Sequence, residues 1–200
     1  MDITNAALIA IDVQKAFDDA PWPPRWNSDI DRNGLLLLDL WRSRKLLIFH
    51  VRHDSTEPNS TLRPDTPGNA FRDGFHPLEG ETLIVKTVNA AFIGTDLNDR
   101  LRSLGIRTLV AFGISTDMCV STTVRVGANL GYRMIVVEDA CDCFELPGRD
   151  GCVIPAKTVH DVHMATLGFE FASVITTADL LAAEAKAQPL SHDIAARTQP

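Results

Sequence analysis

The chain's 200 residues fit one domain. Its 45% hydrophobic content supports a sizeable core, and 22% charged residues is ordinary for a globular protein. A net charge of -7 excludes general affinity for nucleic acid or anionic membrane, whose phosphates need a basic surface, but leaves room for a cationic pocket.

No apolar run approaches the ~20 residues of a membrane span. Met1 and Asp2 lead into the first apolar stretch without the basic start or cleavage pattern of a signal peptide. The four cysteines, Cys119, Cys141, Cys143 and Cys152, form no C-x-x-C pair, which fits a reducing compartment. A cytoplasmic location is expected.

Along the chain, short apolar runs alternate with helical patterns. Strands are expected at residues 6–11, 46–51, 82–85, 108–112, 134–137 and 171–175. Each run is apolar throughout and rich in Ile and Val, as in strands buried on both faces. Helices are expected at 35–43, 96–104, 119–130 and 156–167. Thr95 is a candidate N-cap for the second, and Gly105, Gly131 and Gly168 follow the last three as C′ glycines. The alternation predicts an α/β fold, a three-layer αβα sandwich around a six-stranded, mainly parallel sheet with right-handed crossovers.

Two stretches break the rhythm. Residues 52–80 are rich in Pro, Asp, Asn and Gly and too long for a plain connection. Residues 17–32 carry Phe17 and the cluster Pro21-Trp22-Pro23-Pro24-Arg25-Trp26. Both follow the C-terminal end of a strand, where open α/β sheets place ligands, so both are candidate pocket walls. Residues 1–186 are read as the domain and 187–200 as a mobile tail. No repeat or linker is visible.

Cys119 lies in Gly113-Ile-Ser-Thr-Asp-Met-Cys119, between a buried strand and a helix. Unpaired N–H groups and the positive end of a helix dipole there favour thiolate and can hold an oxyanion. A buried structural cysteine is the competing reading. Asp12 ends the first strand, as a general base or as a cap of the following turn. Lys86 ends the third, paired with a carboxylate or snorkelling to solvent. Their coincidence at the C-terminal ends of different strands favours a site.

Asp12 in ALIAIDVQKAF, Lys86 in VKTVNAAFIGTDL and Cys119 in GISTDMCVSTTVRVGANLGY together resemble the isochorismatase-like cysteine hydrolases, a superfamily that includes nicotinamidases and N-carbamoylsarcosine amidase. The likeness runs from about residue 6 to 180. It implies sheet order 3-2-1-4-5-6 and an Asp12-Lys86-Cys119 triad. It also implies a cis peptide between Ile114 and Ser115, and an oxyanion hole from the N–H groups of Ser115 and Cys119. The implied reaction is hydrolysis of a C–N bond in a small amide, carbamoyl or ureido compound through a thioester. Vinyl ether hydrolysis and a non-catalytic binding role remain alternatives. Relatives imply a homo-oligomer, a dimer or tetramer.

Metal-dependent members carry Asp-x-His after the second strand. Here the text is His50-Val-Arg-His-Asp-Ser, with His76 as a later His, so no metal is expected and no cofactor. Phe17, Trp22, Trp26, Arg52, His53 and Phe92 are the candidate lining of a pocket for a small-molecule substrate. His160 and His163 read as surface or inter-subunit positions. Cys141, Cys143 and Cys152 are assigned no chemistry. The first βα turn lacks glycine, which counts against dinucleotide binding.

Overall fold

A computed structural model describes residues 3–18 and 21–187. Of the expected tail, residues 187–200, all but residue 187 lie outside them. No helix among the described residues is long and apolar enough to cross a membrane.

Six strands form one parallel sheet: β1 (Ala6–Ile11), β2 (Ile48–His53), β3 (Thr82–Lys86), β4 (Thr108–Ile114), β5 (Arg133–Asp142) and β8 (Ala172–Ile175). Their order is β3-β2-β1-β4-β5-β8, the expected 3-2-1-4-5-6 with one short hairpin interposed, β6 (Leu146–Pro147) and β7 (Val153–Ile154). The central pair is apolar because both its faces are covered. Every residue of β1 is buried, and β4 is buried from Leu109 to Ile114.

The helices are α1 (Ile30–Ser43), α2 (Leu97–Ser103), α3 (Ser121–Asn129), α4 (Ala156–Glu170) and α5 (Thr177–Ala187). α1 and α5 touch one another on one layer, and α3 and α4 on the other. α1 presents Leu37, Leu38 and Trp41 to the core, and the buried Trp41 indole donates to the Ala6 carbonyl at 3.0 Å. That bond satisfies a polar edge that would otherwise be stranded in the core.

Several boundaries differ from the pattern. α1 begins at Ile30 rather than 35, because its first turns bury Asn33 and Gly34, which break the apolar stripe. Asn33 is held there by donating to the Asp139 carbonyl at 2.7 Å. Gly168 does not end α4; it lies inside the helix, where the site of its missing Cβ faces Val174 at 3.4 Å. β5 runs past 137 to Asp142 after a register break between Ala111 and Gly113 of its neighbour β4. α5 and the β6–β7 hairpin were not anticipated.

Residues 54–81 form an ordered loop with one 3-10 turn, Pro67–Asn69. Its buried centre is Asn69, whose carboxamide donates to the carbonyls of His53 (3.1 Å) and Leu62 (2.8 Å) and to Asp54 Oδ1 (2.9 Å). Its far end is fixed by Glu81, which takes a bidentate Arg42 guanidinium and lies 2.7 Å from His50 Nε2.

Candidate active site

The C-terminal ends of β1, β3 and β4 converge on one buried spot. β1 stops at Ile11, and Asp12 takes φ 51°, a left-handed conformation that Asp tolerates better than most residues and that turns the chain off the strand. Its N–H still donates to the Val51 carbonyl at 2.9 Å, so the carboxylate is held at the sheet edge. Lys86 is the last residue of β3, in register with His53, the last residue of β2. β4 ends in Gly113-Ile114, the Ile114–Ser115 peptide is cis, and a π-helical turn, Thr116–Val120, carries Cys119 into α3.

Gly113 is required by the approach of two backbones. Its φ is +136°, and a Cβ there would lie 1.9 Å from the Ile11 carbonyl oxygen. Only glycine lets the strand ahead of the cis bond pass so close to the strand ahead of Asp12.

The Lys86 ammonium lies 2.6 Å from Asp12 Oδ2, with neither side chain open to solvent. It also donates to Cys119 Sγ at 3.4 Å and lies 3.0 Å from His53 Nδ1. The ligand atoms of Asp12, His53 and Cys119 lie within 4.8 Å of one another. Cys119 is 8% exposed, and its sulfur is 3.8 Å from Oδ1 of the exposed Asn89.

Burial pushes the Cys119 thiol well above its ordinary range, and the Asp12 charge adds to this, while Lys86 opposes both. Desolvation thus works against the preference for thiolate that a helix terminus supplies. Burial also raises Asp12, against the opposing charge of Lys86. A carboxylate so raised is better matched to receive a thiol proton than an exposed one.

The other expected pocket residues disperse. Phe17 and Trp22 pack with Phe144 in a cluster that includes Ile114, their ring centroids 4.8 Å apart, beside the cis bond. Trp26 does not join them; its ring lies tilted against that of His160 on α4, the centroids 4.6 Å apart. Phe92 is buried and stacked on Tyr132 at 5.7 Å. Arg52 forms a bidentate pair with its neighbour Asp54 at 2.8 and 3.0 Å. His160 is not a surface residue: it is 3% exposed, lies 2.9 Å from the Thr116 hydroxyl, and burial lowers it to about 4.

The candidate metal ligands face different partners: His50 meets Glu81, Asp54 meets Arg52 and Asn69, and His53 meets Lys86. Among the described residues, the one cluster with metal-ligand chemistry is Asp12, His53 and Cys119, and the Lys86 ammonium already stands within 3.4 Å of an atom of each. Sequence reasoning missed Gln14, Asn69 and Asn89. Gln14 lies two residues after Asp12 with no pattern to mark it, and Asn69 acts from a loop whose composition reads only as turns.

The family model of the isochorismatase domain matches residues 6–179. A hydrolase of the isochorismatase family from Chromobacterium violaceum superposes with a TM-score of 0.89 at 41% identity, over 93% of this chain and 96% of that one. The isochorismatase family protein YrdC of Bacillus subtilis is 39% identical over 175 residues, 88% of this chain and 94% of its own. Some relatives carry the names of activities. Streptothricin hydrolase of Streptomyces noursei is 30% identical over 72% of this chain and 57% of its own length. Nicotinamidase 3 of Arabidopsis thaliana is 25% identical over 85% of this chain and 84% of its own.

Proposed function

The chain belongs to the isochorismatase family of hydrolases, and on that premise we propose that it cleaves a C–N bond of a small amide, carbamoyl or ureido compound with Cys119 as nucleophile. The observation that carries this reading is the Lys86 ammonium, buried between the Asp12 carboxylate at 2.6 Å and the Cys119 sulfur at 3.4 Å. The names of two relatives, one a nicotinamidase, support an amide over an ether substrate.

In the proposed reaction the thiol gives its proton to Asp12 as sulfur adds to the carbonyl carbon. The free thiolate need not accumulate, which suits a thiol raised by burial. Lys86 stabilises the charge on sulfur as the proton leaves. The carbonyl oxygen, now an oxyanion, takes the N–H groups of Ser115 and Cys119, a role typically worth about 3 kcal/mol per donor. Asp12 then protonates the leaving nitrogen and the C–N bond breaks, leaving a thioester. Water attacks the thioester, Asp12 takes its proton, and the departing sulfur recovers it. The products are an acid and an amine or ammonia.

The test is a panel of small amides, carbamoyl compounds and ureides assayed for ammonia or amine release, with Cys119→Ala as control. Mass spectrometry of the quenched reaction should find an acyl group on the Cys119 peptide. Full turnover by Cys119→Ala on the best substrate would refute the covalent scheme.

A further inference from the structure

Lys86 has more to hold than its two expected partners. An ammonium carries three N–H donors, and a buried one leaves none to water. Asp12 Oδ2 takes one at 2.6 Å and Cys119 Sγ another at 3.4 Å. The remaining neighbour is His53 Nδ1 at 3.0 Å. Nitrogen facing an ammonium at that distance must accept, so His53 is neutral there and carries its proton on Nε2.

The backbone of His53 is fixed from two sides by buried carboxamides. Gln14 Oε1 accepts the His53 N–H at 2.9 Å, while Gln14 Nε2 and Asn69 Nδ2 both donate to its carbonyl at 3.1 Å. Gln14 also donates to the Asn69 carbonyl at 2.8 Å, which locks the two clamps together. Parallel pairing of β2 and β3 then sets His53 directly beside Lys86. This investment in one histidine exceeds what a strand end requires.

We propose that His53 is the positioning residue of Lys86: its imidazole accepts the third ammonium proton at Nδ1 and so aims the cation at both the Asp12 carboxylate and the Cys119 sulfur. The role rests on the reading of Lys86 as the cation that works between those two groups. The charged and titratable groups around the ring are Lys86, Asp12, Cys119 and the adjacent Asp54. Burial and the Lys86 charge hold His53 down to about 4, so the acceptor form persists through the neutral range. An imidazolium would set a second cation against the ammonium and release it.

The first measurement uses the unaltered protein. Nitrogen-15 chemical shifts of His53 at pH 7 should report a neutral ring protonated at Nε2; a ring protonated at Nδ1, or at both nitrogens, overturns the proposal. The second compares His53→Leu, which fills the space without an acceptor, with His53→Asn, whose Oδ1 stands where Nδ1 stood. Iodoacetamide modification of Cys119 at pH 9, read on its own peptide, should slow about tenfold or more in His53→Leu. In His53→Asn it should return to within about threefold of the parent, since an acceptor is restored. Equal rates in His53→Leu and the parent, or no recovery in His53→Asn, overturn the role. If His53→Leu does not fold, the parent's shifts and the His53→Asn rate decide. Neither readout needs a substrate, so a failed amide screen leaves this result standing, and the converse holds.

Discussion

Asp12 and Lys86 meet at 2.6 Å with both side chains out of water, from strands that are not neighbours in the sheet. Burying both charges is costly, and their attraction repays it only while both are present. Lys86→Met should therefore destabilise the protein by about 3–5 kcal/mol, because it strands a carboxylate in an apolar site. Asp12→Asn should do the same by stranding the ammonium. Asp12→Asn with Lys86→Met should recover much of the loss in urea unfolding yet remain inactive. Additive losses would mean the two groups are not coupled, and the site would lose its central pair.

The histidines set a pH dependence of known sign. His160 is lowered to about 4 by burial, against about 6.5 for an unfolded chain. Between these values the unfolded state binds a proton that the folded state refuses, so stability falls as pH drops from about 6.5 to about 4. His53 acts in the same window and direction. Asp12, raised by burial, acts oppositely, since the folded state holds its proton more tightly. A subtraction isolates one group. Urea unfolding of the parent and His160→Gln at pH 7, 6, 5 and 4.5 should diverge in slope by up to one proton. Parallel curves would show that His160 takes up its proton alike in the folded and unfolded chain.

The sheet was legible because its strands are apolar on both faces: residues 6–11 match β1 to the residue. What escaped was set by tertiary partners. β5 continues beyond Val137 through the polar Glu138 and Asp139, where the Asp139 carbonyl is taken up by Asn27 and Asn33. Nothing local in MIVVEDACD marks that continuation. At the site, Asp12, Lys86 and Cys119 stood out because each ends or follows an apolar run. His53 reads from sequence only as a candidate pocket wall, since its contact with Lys86 comes from strand register.

Gly113 offers a sharper test of how the site is built. Its missing Cβ would fall 1.9 Å from the Ile11 carbonyl, a contact with backbone that no rotamer change relieves. Gly113→Ala must push β4 from β1 at the rung that holds both Asp12 and the Ile114–Ser115 bond. We expect a loss of about 3 kcal/mol or more, with activity abolished in whatever folds. Gly105→Ala provides the comparison: its φ is +69°, but open space surrounds its Cβ position, so it should cost about 1 kcal/mol through backbone strain alone. Similar thermal shifts for the two would remove steric approach as the reason for Gly113.

Asn69 ties the long loop to the chemistry, and its removal should separate the two. Its carboxamide nitrogen donates to His53, Asp54 and Leu62 from a site only 5% exposed. Asn69→Leu removes one donor from each of these acceptors, which keep Gln14 Nε2, Arg52 Nε and the Ser55 N–H respectively, so each lost bond should cost about 1 kcal/mol. The loop's other anchors include Gln14 Nε2 to the Asn69 carbonyl at 2.8 Å, Asp54 N–H to the Lys86 carbonyl at 2.8 Å, Lys15 N–H to that of Ala70 at 2.8 Å, and Arg72 N–H to that of Val13 at 3.0 Å. The variant should open the loop locally before the sheet unfolds, since Glu81 still anchors its far end through Arg42. Hydrogen exchange should then show lost protection over residues 55–70 while β1 and β4 stay protected. If Asn69→Leu leaves exchange in the loop unchanged, its ordering comes from elsewhere, and the clamp on His53 loses one of its two sides.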